Sequence, residues 1–316
     1  MMSFFIRPVL GIACLLWALS TARAESFRFA AIGDVPYGPV EELTHLIDAI
    51  NLQPLAFTIH VGDIKSGAAV CADARFEAVR AQFDRIAQAL IYTPGDNEWT
   101  DCHRFSNGRY DPLERLEKIR QLFFNTPHSL GKRPIATQAQ SAQAPFARYV
   151  ENRRWVQGRV SFATVHMVGS NNNLRSDDVQ TAHASPSEFS ARNQANIAWM
   201  QETFAHARAR QDIAVVLAMQ ADTFMGSLRS RSGFQSWLAA FALEAKAWGK
   251  PVLLIQGDSH ALRIDQPVKD AAGKPLVQVT RLVVAGAPKA NAMLIELDMN
   301  NLSQPFRFTA MTESLP

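Results

Sequence analysis

Five apolar stretches of this chain run directly into a carboxylate, an amide or a histidine, and each has the length and composition of a buried β-strand. They are residues 27–32 before Gly33-Asp34, residues 55–61 before Gly62-Asp63, residues 90–93 before Pro94-Gly95-Asp96-Asn97-Glu98, residues 213–219 before Gln220-Ala221-Asp222, and residues 252–255 before Gln256-Gly257-Asp258-Ser259-His260. Ligand sites of open α/β sheets lie outside the carboxyl ends of the strands. The five endings therefore predict one oxygen-rich site, built from residues that are far apart in the sequence.

Helical periodicity fills the intervals between these strands. Apolar residues recur at helical spacing in residues 40–50, 74–90 and 234–248. Ser185-Pro186-Ser187-Glu188 has the pattern of a capping box and predicts a further helix that ends near Arg210. Alternation of strands and helices at this spacing is typical of a sheet rich in parallel strands.

Short β-type runs with few helices between them form a second group, at residues 146–150, 155–168, 276–284 and 292–297. They predict a second sheet that packs on the first, in a layered α/β sandwich. Neither half of the 316 residues differs from the other in composition, which favours a single domain over residues 25–316.

The first 24 residues have the three parts of a secretory signal peptide. Arg7 precedes an apolar stretch at residues 9–19, and Ala22-Arg23-Ala24 is a small-x-small cleavage site. The alternative is an uncleaved anchor, but 11 apolar residues are too few to cross a bilayer. We therefore expect cleavage after Ala24, no membrane insertion of the mature chain, and a periplasmic or secreted protein.

Export leaves two cysteines, Cys71 and Cys102, in a compartment where disulfides persist, which favours a bridge between them over two unpaired buried thiols. The charge is nearly balanced: 32 basic residues face 29 acidic ones, and the predicted leader contains two of the basic residues. This balance indicates no nucleic-acid partner.

Each polar strand ending is a weak signal alone, because Gly-Asp is a common turn and Asp is a common helix cap. Together they are stronger, since several carboxylates at one edge repel one another unless cations or protons compensate them. Other polar residues are expected to be structural: His60 and His166 lie inside β-type runs and are predicted as core residues, and the Asn cluster at 171–173 as a turn.

The order of these motifs resembles the calcineurin-like metallophosphoesterases, whose pattern runs Asp-x-His, Gly-Asp, Gly-Asn-His-Asp/Glu, a lone His, then Gly-His-x-His. The resemblance covers residues 26–264 and implies a four-layer α/β/β/α sandwich with two mixed sheets. In that family the second-motif Asp bridges two metal ions, and it matches Asp63. The first-motif Asp and the last His bind the first metal, and they match Asp34 and His260.

Departures from the family pattern exchange nitrogen ligands for oxygen. The first-motif His is Pro36, and Asp96, Asn97, Gln220 and Asp258 replace the family's Asn and three of its His residues. The resemblance then implies a second metal on Asp63, Asp96, Gln220 and Asp258. Oxygen donors suit magnesium and manganese better than zinc, so two divalent ions, Mn or Mg rather than Zn, are expected.

Four further residues are candidates for catalysis. Asn97 stands where the family has the His that stabilises the transition state or protonates the leaving group, and an amide delivers no proton near neutral pH. Glu98 is expected to orient Asn97 or a water. His103 is a candidate replacement for the lost His, and Arg104 for neutralising a phosphate. Tyr37 is expected to be a packed turn aromatic rather than a phenolate ligand.

The resemblance implies an exported, metal-dependent hydrolase of small phosphoric mono- or diesters, acting by attack of a metal-bound hydroxide at a two-metal site. The alternative is a protein that has kept the fold but lost turnover, and that binds a phosphorylated or anionic ligand. The substituted His positions favour this alternative. The replacement of most ligands by other ligands, rather than by apolar residues, favours the hydrolase.

Overall fold

A computed structural model of the chain describes residues 26–174, 186–288 and 291–311. The predicted signal peptide, residues 1–24, and Ser185 of the predicted capping box lie outside these residues. Among the helices that the structure describes, none is both long enough and apolar enough to cross a membrane.

Two mixed β-sheets form the centre of the molecule. The first has five strands, β1 (Phe27–Ile32), β2 (Phe57–His60), β3 (Ala89–Tyr92), β11 (Met293–Leu297) and β12 (Phe306–Ala310), in the order β12-β11-β1-β2-β3. The second has seven, β4 (Gln138–Ala139), β5 (Arg153–Gln157), β6 (Val160–Thr164), β7 (Ala214–Ala218), β8 (Val252–Gln256), β9 (Arg263–Asp265) and β10 (Val279–Val283), in the order β4-β5-β6-β7-β8-β10-β9. In the first sheet β1, β2 and β3 are parallel, and in the second β6, β7, β8 and β10 are parallel.

All five predicted strand endings exist, but they belong to both sheets rather than to one. β1, β2 and β3 end beside the carboxyl ends of β7 and β8 of the other sheet. Two details of the predicted second sheet are wrong. β11 pairs antiparallel with β1 in the first sheet, and the segment 146–150 holds no strand but follows the 3₁₀ turn Ala144–Phe146.

In the part of the chain that the structure describes, six α-helical segments connect the strands: α1 (Glu41–Asn51), α2 (Asp73–Phe83), α3 (Pro112–Phe123), the single turn α4 (Gly169–Asn172), α5 (Pro186–Ala209) and α6 (Gln235–Trp248). α1, α5 and α6 match the predicted helices. α2 is shorter than predicted because Leu90 belongs to β3. α3 was not among the predicted helices, although Asp111 caps its N-terminus and Pro112 occupies its first position.

Alternating side chains build three apolar cores. In β1, Ala30 and Ile32 pack against α1 to α3, whereas Phe29 and Ala31 face the other sheet. In β7, the odd-numbered Val215 and Leu217 pack against α5 and α6, while the even-numbered residues join the core between the sheets. The layers are therefore helices, five-stranded sheet, seven-stranded sheet and helices, and the predicted four-layer sandwich is confirmed.

A disulfide joins Cys71 to Cys102, with their Cα atoms 5.8 Å apart, which confirms the predicted bridge. It connects the loop after β2 to the 3₁₀ turn Thr100–His103 after β3. Both loops carry polar residues of the predicted site, so the bridge fixes part of the site's frame.

Candidate metal centre

Three carboxylates from the two sheets meet at the centre of the site. Asp63 follows β2, Asp96 follows β3 and Asp258 follows β8, and one oxygen atom of each lies within 4.8 Å of the others. Oxygen atoms bound to one divalent cation at about 2.0–2.6 Å are themselves no more than about 5 Å apart. The carboxylate triad, as we call Asp63, Asp96 and Asp258, therefore has the spacing of ligands that share a cation.

Unusual backbone conformations aim these side chains into the site. Asp34, Asp63, Asp258 and His260 have φ angles of 54°, 58°, 70° and 54°, in the left-handed region that residues other than glycine seldom adopt. Such conformations cost free energy and concentrate at functional sites. The tight turn after each strand thus places a ligand-type side chain instead of the glycine that the backbone alone would favour.

Within the described residues, no basic side chain forms an ion pair with any carboxylate of the triad. The buried ammonium of Lys65 nevertheless lies close enough to interact electrostatically with Asp63 and Asp96. Burial raises the pKa of Asp63 and of Asp258 well above the usual range, and the charge of Asp96 raises both further. Mutual repulsion of this kind is relieved by protons or by a bound cation.

Gln220 is fully buried and holds Asp96 in position. Its Nε2 donates to Asp96 Oδ1 at 3.0 Å, and its Oε1 accepts from the backbone N–H of Gly169 at 2.5 Å. A carboxylate only accepts and an N–H only donates, so these partners fix which way the amide points. Gln220 is therefore a positioning residue for Asp96, and the side-chain oxygen of Gln220 is already engaged by Gly169.

A left-handed turn after β6 completes this side of the site. A Cβ atom on Gly169 would lie 2.8 Å from both Asp96 Oδ2 and Asp258 Oδ1, so only glycine fits there. Ser170 Oγ lies 2.7 Å from Asp96 Oδ2 and 3.0 Å from Asp101 Oδ1, and its single proton serves the nearer oxygen. The buried guanidinium of Arg192 donates to Asn172 Oδ1 and to its backbone carbonyl, which fixes the turn.

Residues 171–173 form a turn, as predicted, whereas Gly169 and Ser170 were not predicted as site residues. Their place one and two residues beyond the β-type run at residues 155–168 was the sequence signal that could have identified them. That signal is the same one that marked the other strand endings.

Asp34, His260 and Tyr37 form the opposite side of the site. Asp34 Oδ1 accepts from the backbone N–H of Asp258 at 2.9 Å and lies 3.4 Å from His260 Nε2. The contact with Asp34 raises the pKa of His260, and burial raises the pKa of Asp34. Tyr37 is a site residue rather than only a packed aromatic, because its hydroxyl contacts Asp63, Asn97 and His260.

Tyr37 keeps its proton in this environment. Burial raises the pKa of its phenol far above the usual range, and the charges of Asp63 and Asp34 raise it further. Asn97 Nδ2 donates to Asp63 Oδ2 at 2.7 Å and to the Tyr37 hydroxyl at 2.9 Å. The amide hydrogens of Asn97 are thus engaged within the site.

Glu98 lies beneath the triad and joins two strand-end loops. Its Oε1 accepts from the backbone N–H groups of Asp63 at 3.2 Å and Gly95 at 2.6 Å, and from the Tyr92 hydroxyl at 2.7 Å. Burial raises the pKa of this carboxyl group. The contacts make Glu98 a positioning residue for the Asp63 backbone.

Arg104 and His103, the two candidates in the loop after β3, have different surroundings. Arg104 is 41% exposed, with Nη1 2.6 Å from Asp101 Oδ2 and Nη2 3.5 Å from Ser170 Oγ, so its guanidinium borders the triad and faces solvent. His103 Nδ1 contacts the Thr100 carbonyl of its own 3₁₀ turn at 2.7 Å. Burial, together with the charge of Asp96, raises the pKa of Asp101 to about 7.

His60 and His166 are core residues, as predicted. His60 Nε2 contacts the Val35 carbonyl at 2.9 Å, its Nδ1 accepts from the Gly62 N–H at 3.1 Å, and burial lowers its pKa to about 4. His166 Nδ1 lies 2.7 Å from Glu151 Oε1, which also pairs with Arg120. Both rings therefore belong to the buried core that supports the site.

Comparisons with known proteins concern the fold. No protein-family model and no curated protein sequence matches the chain. Among solved structures it is similar to PhoD, with 12% identity and a TM-score of 0.54 over 87% of this chain and 64% of that one. It is also similar to the purple acid phosphatase from yellow lupin (Lupinus luteus) seeds, with 11% identity and a TM-score of 0.48 over 86% of this chain and 49% of that one.

The chain therefore has the metallophosphoesterase fold, as the order of its motifs implied, and it spans less than two thirds of the length of PhoD. The fold accounts for the convergence of the strand endings. What the site does follows from its own residues.

Proposed function

We propose that the chain is a metal-dependent hydrolase of phosphoric esters whose cation binds to the carboxylate triad. The observation that carries this proposal is the triad itself: three carboxylates within 4.8 Å, without an ion-pair partner among the described residues, at the convergent strand ends of a metallophosphoesterase fold. Buried charges are retained where they are paired or coordinate a metal. A divalent cation satisfies all three at once.

The donor set favours a hard cation. The triad offers carboxylate oxygens, and the imidazole of His260 contacts Tyr37 and Asp34 on the other side of the site. Oxygen ligands suit magnesium or manganese, whereas zinc prefers nitrogen and sulfur. We therefore expect Mn or Mg to support activity better than Zn.

A cation at the triad supplies Lewis-acid stabilisation of charge on the phosphoryl oxygens and lowers the pKa of water. The chain's own residues then position the parts. Ser170 and Gln220 hold Asp96 by its two oxygens, and Glu98 holds the backbone of Asp63. Arg104 borders the triad with N–H groups that face solvent, which suits it to bind a phosphate oxygen.

Asn97 defines the rival function. Its amide cannot deliver a proton, so substrates with poor leaving groups depend on another acid or on solvent. A site that binds phosphate without turnover is the alternative that this residue favours.

Export is proposed from the signal-like sequence of residues 1–24, and the Cys71–Cys102 bridge supports it. Small phosphoric mono- or diesters are the proposed substrates.

The test uses the purified mature chain, stripped with a chelator and assayed on nitrophenyl phosphomonoesters and diesters with Mn, Mg or Zn added back. Activity is expected to return best with Mn or Mg and to fall by about 100-fold or more in Asp96→Asn, which weakens the triad. Asp84→Asn, on an exposed residue paired with Arg80, is the matched control and should be fully active. A folded protein that binds Mn but hydrolyses no ester would show that the binding function is correct.

A further inference from the structure

The side of the site that lacks its family ligand is built around a tyrosine. The resemblance matches Asp34, Asp63 and His260 to the first metal, whereas Pro36 stands where the family has a His and offers no side-chain donor. The contacts of Asp34, Asp63 and His260 converge beside the hydroxyl of Tyr37. Three protein ligands therefore remain on this side of the site.

The Tyr37 hydroxyl is fully engaged. It donates to Asp63 Oδ2 at 2.9 Å, accepts from Asn97 Nδ2 at 2.9 Å, and lies 3.0 Å from His260 Nε2. A hydroxyl has one hydrogen and two lone pairs, so these three contacts use its whole capacity. The Tyr37 ring also packs edge-on against the His260 ring, with centroids 4.9 Å apart.

The neighbouring groups are engaged as well. His260 Nδ1 contacts the Ala287 carbonyl at 2.9 Å, and both oxygens of Asp34 accept from the backbone N–H of Asp258, at 2.9 and 3.2 Å. A cation on this side would have to displace the Tyr37 hydroxyl from Asp63 and from His260. It would gain only three protein ligands in exchange.

We propose that the chain binds a single divalent cation, at the carboxylate triad, and that Tyr37 takes the place of the family's first cation by linking Asp63 to His260. The inference rests on the proposed function only for the cation at the triad. It assigns Tyr37 and His260 as positioning residues, which orient the shared carboxylate of Asp63 through hydrogen bonds.

The triad and the Asp34–His260 side of the site differ in how their charges are paired, as a single cation at the triad requires. Asp34 has His260 as a partner at 3.4 Å, whereas the triad has no ion-pair partner among the described residues. A cation therefore relieves repulsion at the triad but competes with an existing contact on the other side. One cation satisfies three carboxylates that have no direct ion-pair partner among the described residues and only the nearby charge of Lys65.

The experiment counts cations. The chelated mature protein is titrated with Mn²⁺ by calorimetry, and its electron paramagnetic resonance spectrum is recorded at saturation. The expected result is one Mn²⁺ per chain with the hyperfine-split signal of an isolated ion. Two Mn²⁺ per chain with the signal of an exchange-coupled pair would overturn the inference and leave the hydrolase proposal standing, and no binding at all would overturn both.

Variants locate the cation. His260→Ala is expected still to bind one Mn²⁺ per chain, with an affinity about 10-fold weaker, because this residue positions the ligand Asp63 and is not a ligand itself, whereas Asp96→Asn should weaken binding by about 100-fold or more. Loss of one of two cations in His260→Ala would contradict the inference. Tyr37→Phe should still bind one cation and should alter the zero-field splitting of the Mn²⁺ signal, because Asp63 loses its link. An unchanged spectrum would exclude the positioning role.

Discussion

Replacing Asp258 by asparagine tests whether the carboxylate triad is a set of uncompensated charges. Asp258→Asn keeps the shape of the side chain and removes one negative charge. We expect the metal-free protein to become more stable, although the same substitution removes a cation ligand. A stabilising change at a functional residue is unusual, since most substitutions of buried residues destabilise.

The magnitude follows from the spacing. Two unit charges 4.8 Å apart repel by about 3.5 kcal/mol at an effective dielectric constant of about 20. Asp258 has two such neighbours, so full ionisation would cost about 7 kcal/mol. Proton uptake sets a ceiling, because protonating a carboxyl group of ordinary pKa at pH 7 costs about 4 kcal/mol. The expected gain is therefore about 2–4 kcal/mol, or about 4–8 °C in Tm.

The same charges give the metal-free protein a defined pH dependence. Asp63 and Asp258 have pKa values raised above their unfolded values, so the folded state binds protons more tightly than the unfolded state. Stability therefore falls as the pH rises from about 4 through the raised pKa values. Asp258→Asn should flatten this fall, and saturating Mn²⁺ should abolish it in the parent protein.

Thermal and urea unfolding of the chelated proteins measure both effects. Asp222→Asn is the matched control, because Asp222 is buried nearby but pairs with Arg281 at 2.6 Å, and breaking that pair should destabilise by about 3–5 kcal/mol. Opposite signs for the two variants are the expected result. If metal-free Asp258→Asn is less stable than the parent at pH 7, the triad is not a centre of repulsion and the argument for a cation fails.

Three further outcomes are expected. Removing the bridge with Cys71→Ser and Cys102→Ser should lower the free energy of unfolding in urea by about 3–4 kcal/mol, because the bridge closes a loop with a sequence separation of 31 residues. An unchanged midpoint would show that the bridge contributes nothing. Ser170→Ala should weaken Mn²⁺ binding about fivefold in calorimetry, through one hydrogen bond of about 1 kcal/mol, while exposed Ser106→Ala should not change it. Arg104→Lys should raise KM about tenfold with little change in kcat, and an unaltered KM would place the phosphate elsewhere.

Much of the fold follows from local patterns in the sequence. The strand endings were predictable because apolar runs mark buried strands, α1 and α6 because helical periodicity reflects the buried face, and α5 because a capping-box pattern precedes it. The sheet to which a strand belongs was not predictable, because the apolar run of β11 fits either sheet and its partner β1 lies more than 260 residues away in the sequence. Long-range pairing leaves no local signal in one sequence.

Some residues of the site were likewise predictable from the sequence, and others were not. Asp63, Asp96 and Asp258 were predictable because each lies two to four residues beyond the end of a strand, and strand direction brings such residues together. Tyr37 was expected to be a packed aromatic, because nothing in the sequence shows that its hydroxyl reaches three polar groups. Ser170 was missed for the same reason, since its role depends on a left-handed turn.

The most direct test of the account is a crystal structure of the mature protein with Mn²⁺, measured at a wavelength at which manganese scatters anomalously. One anomalous peak is expected, about 2.0–2.6 Å from oxygen atoms of Asp63, Asp96 and Asp258, with Tyr37 still in contact with His260. A crystal saturated with Mn²⁺ but without a peak at the triad would contradict the central claim.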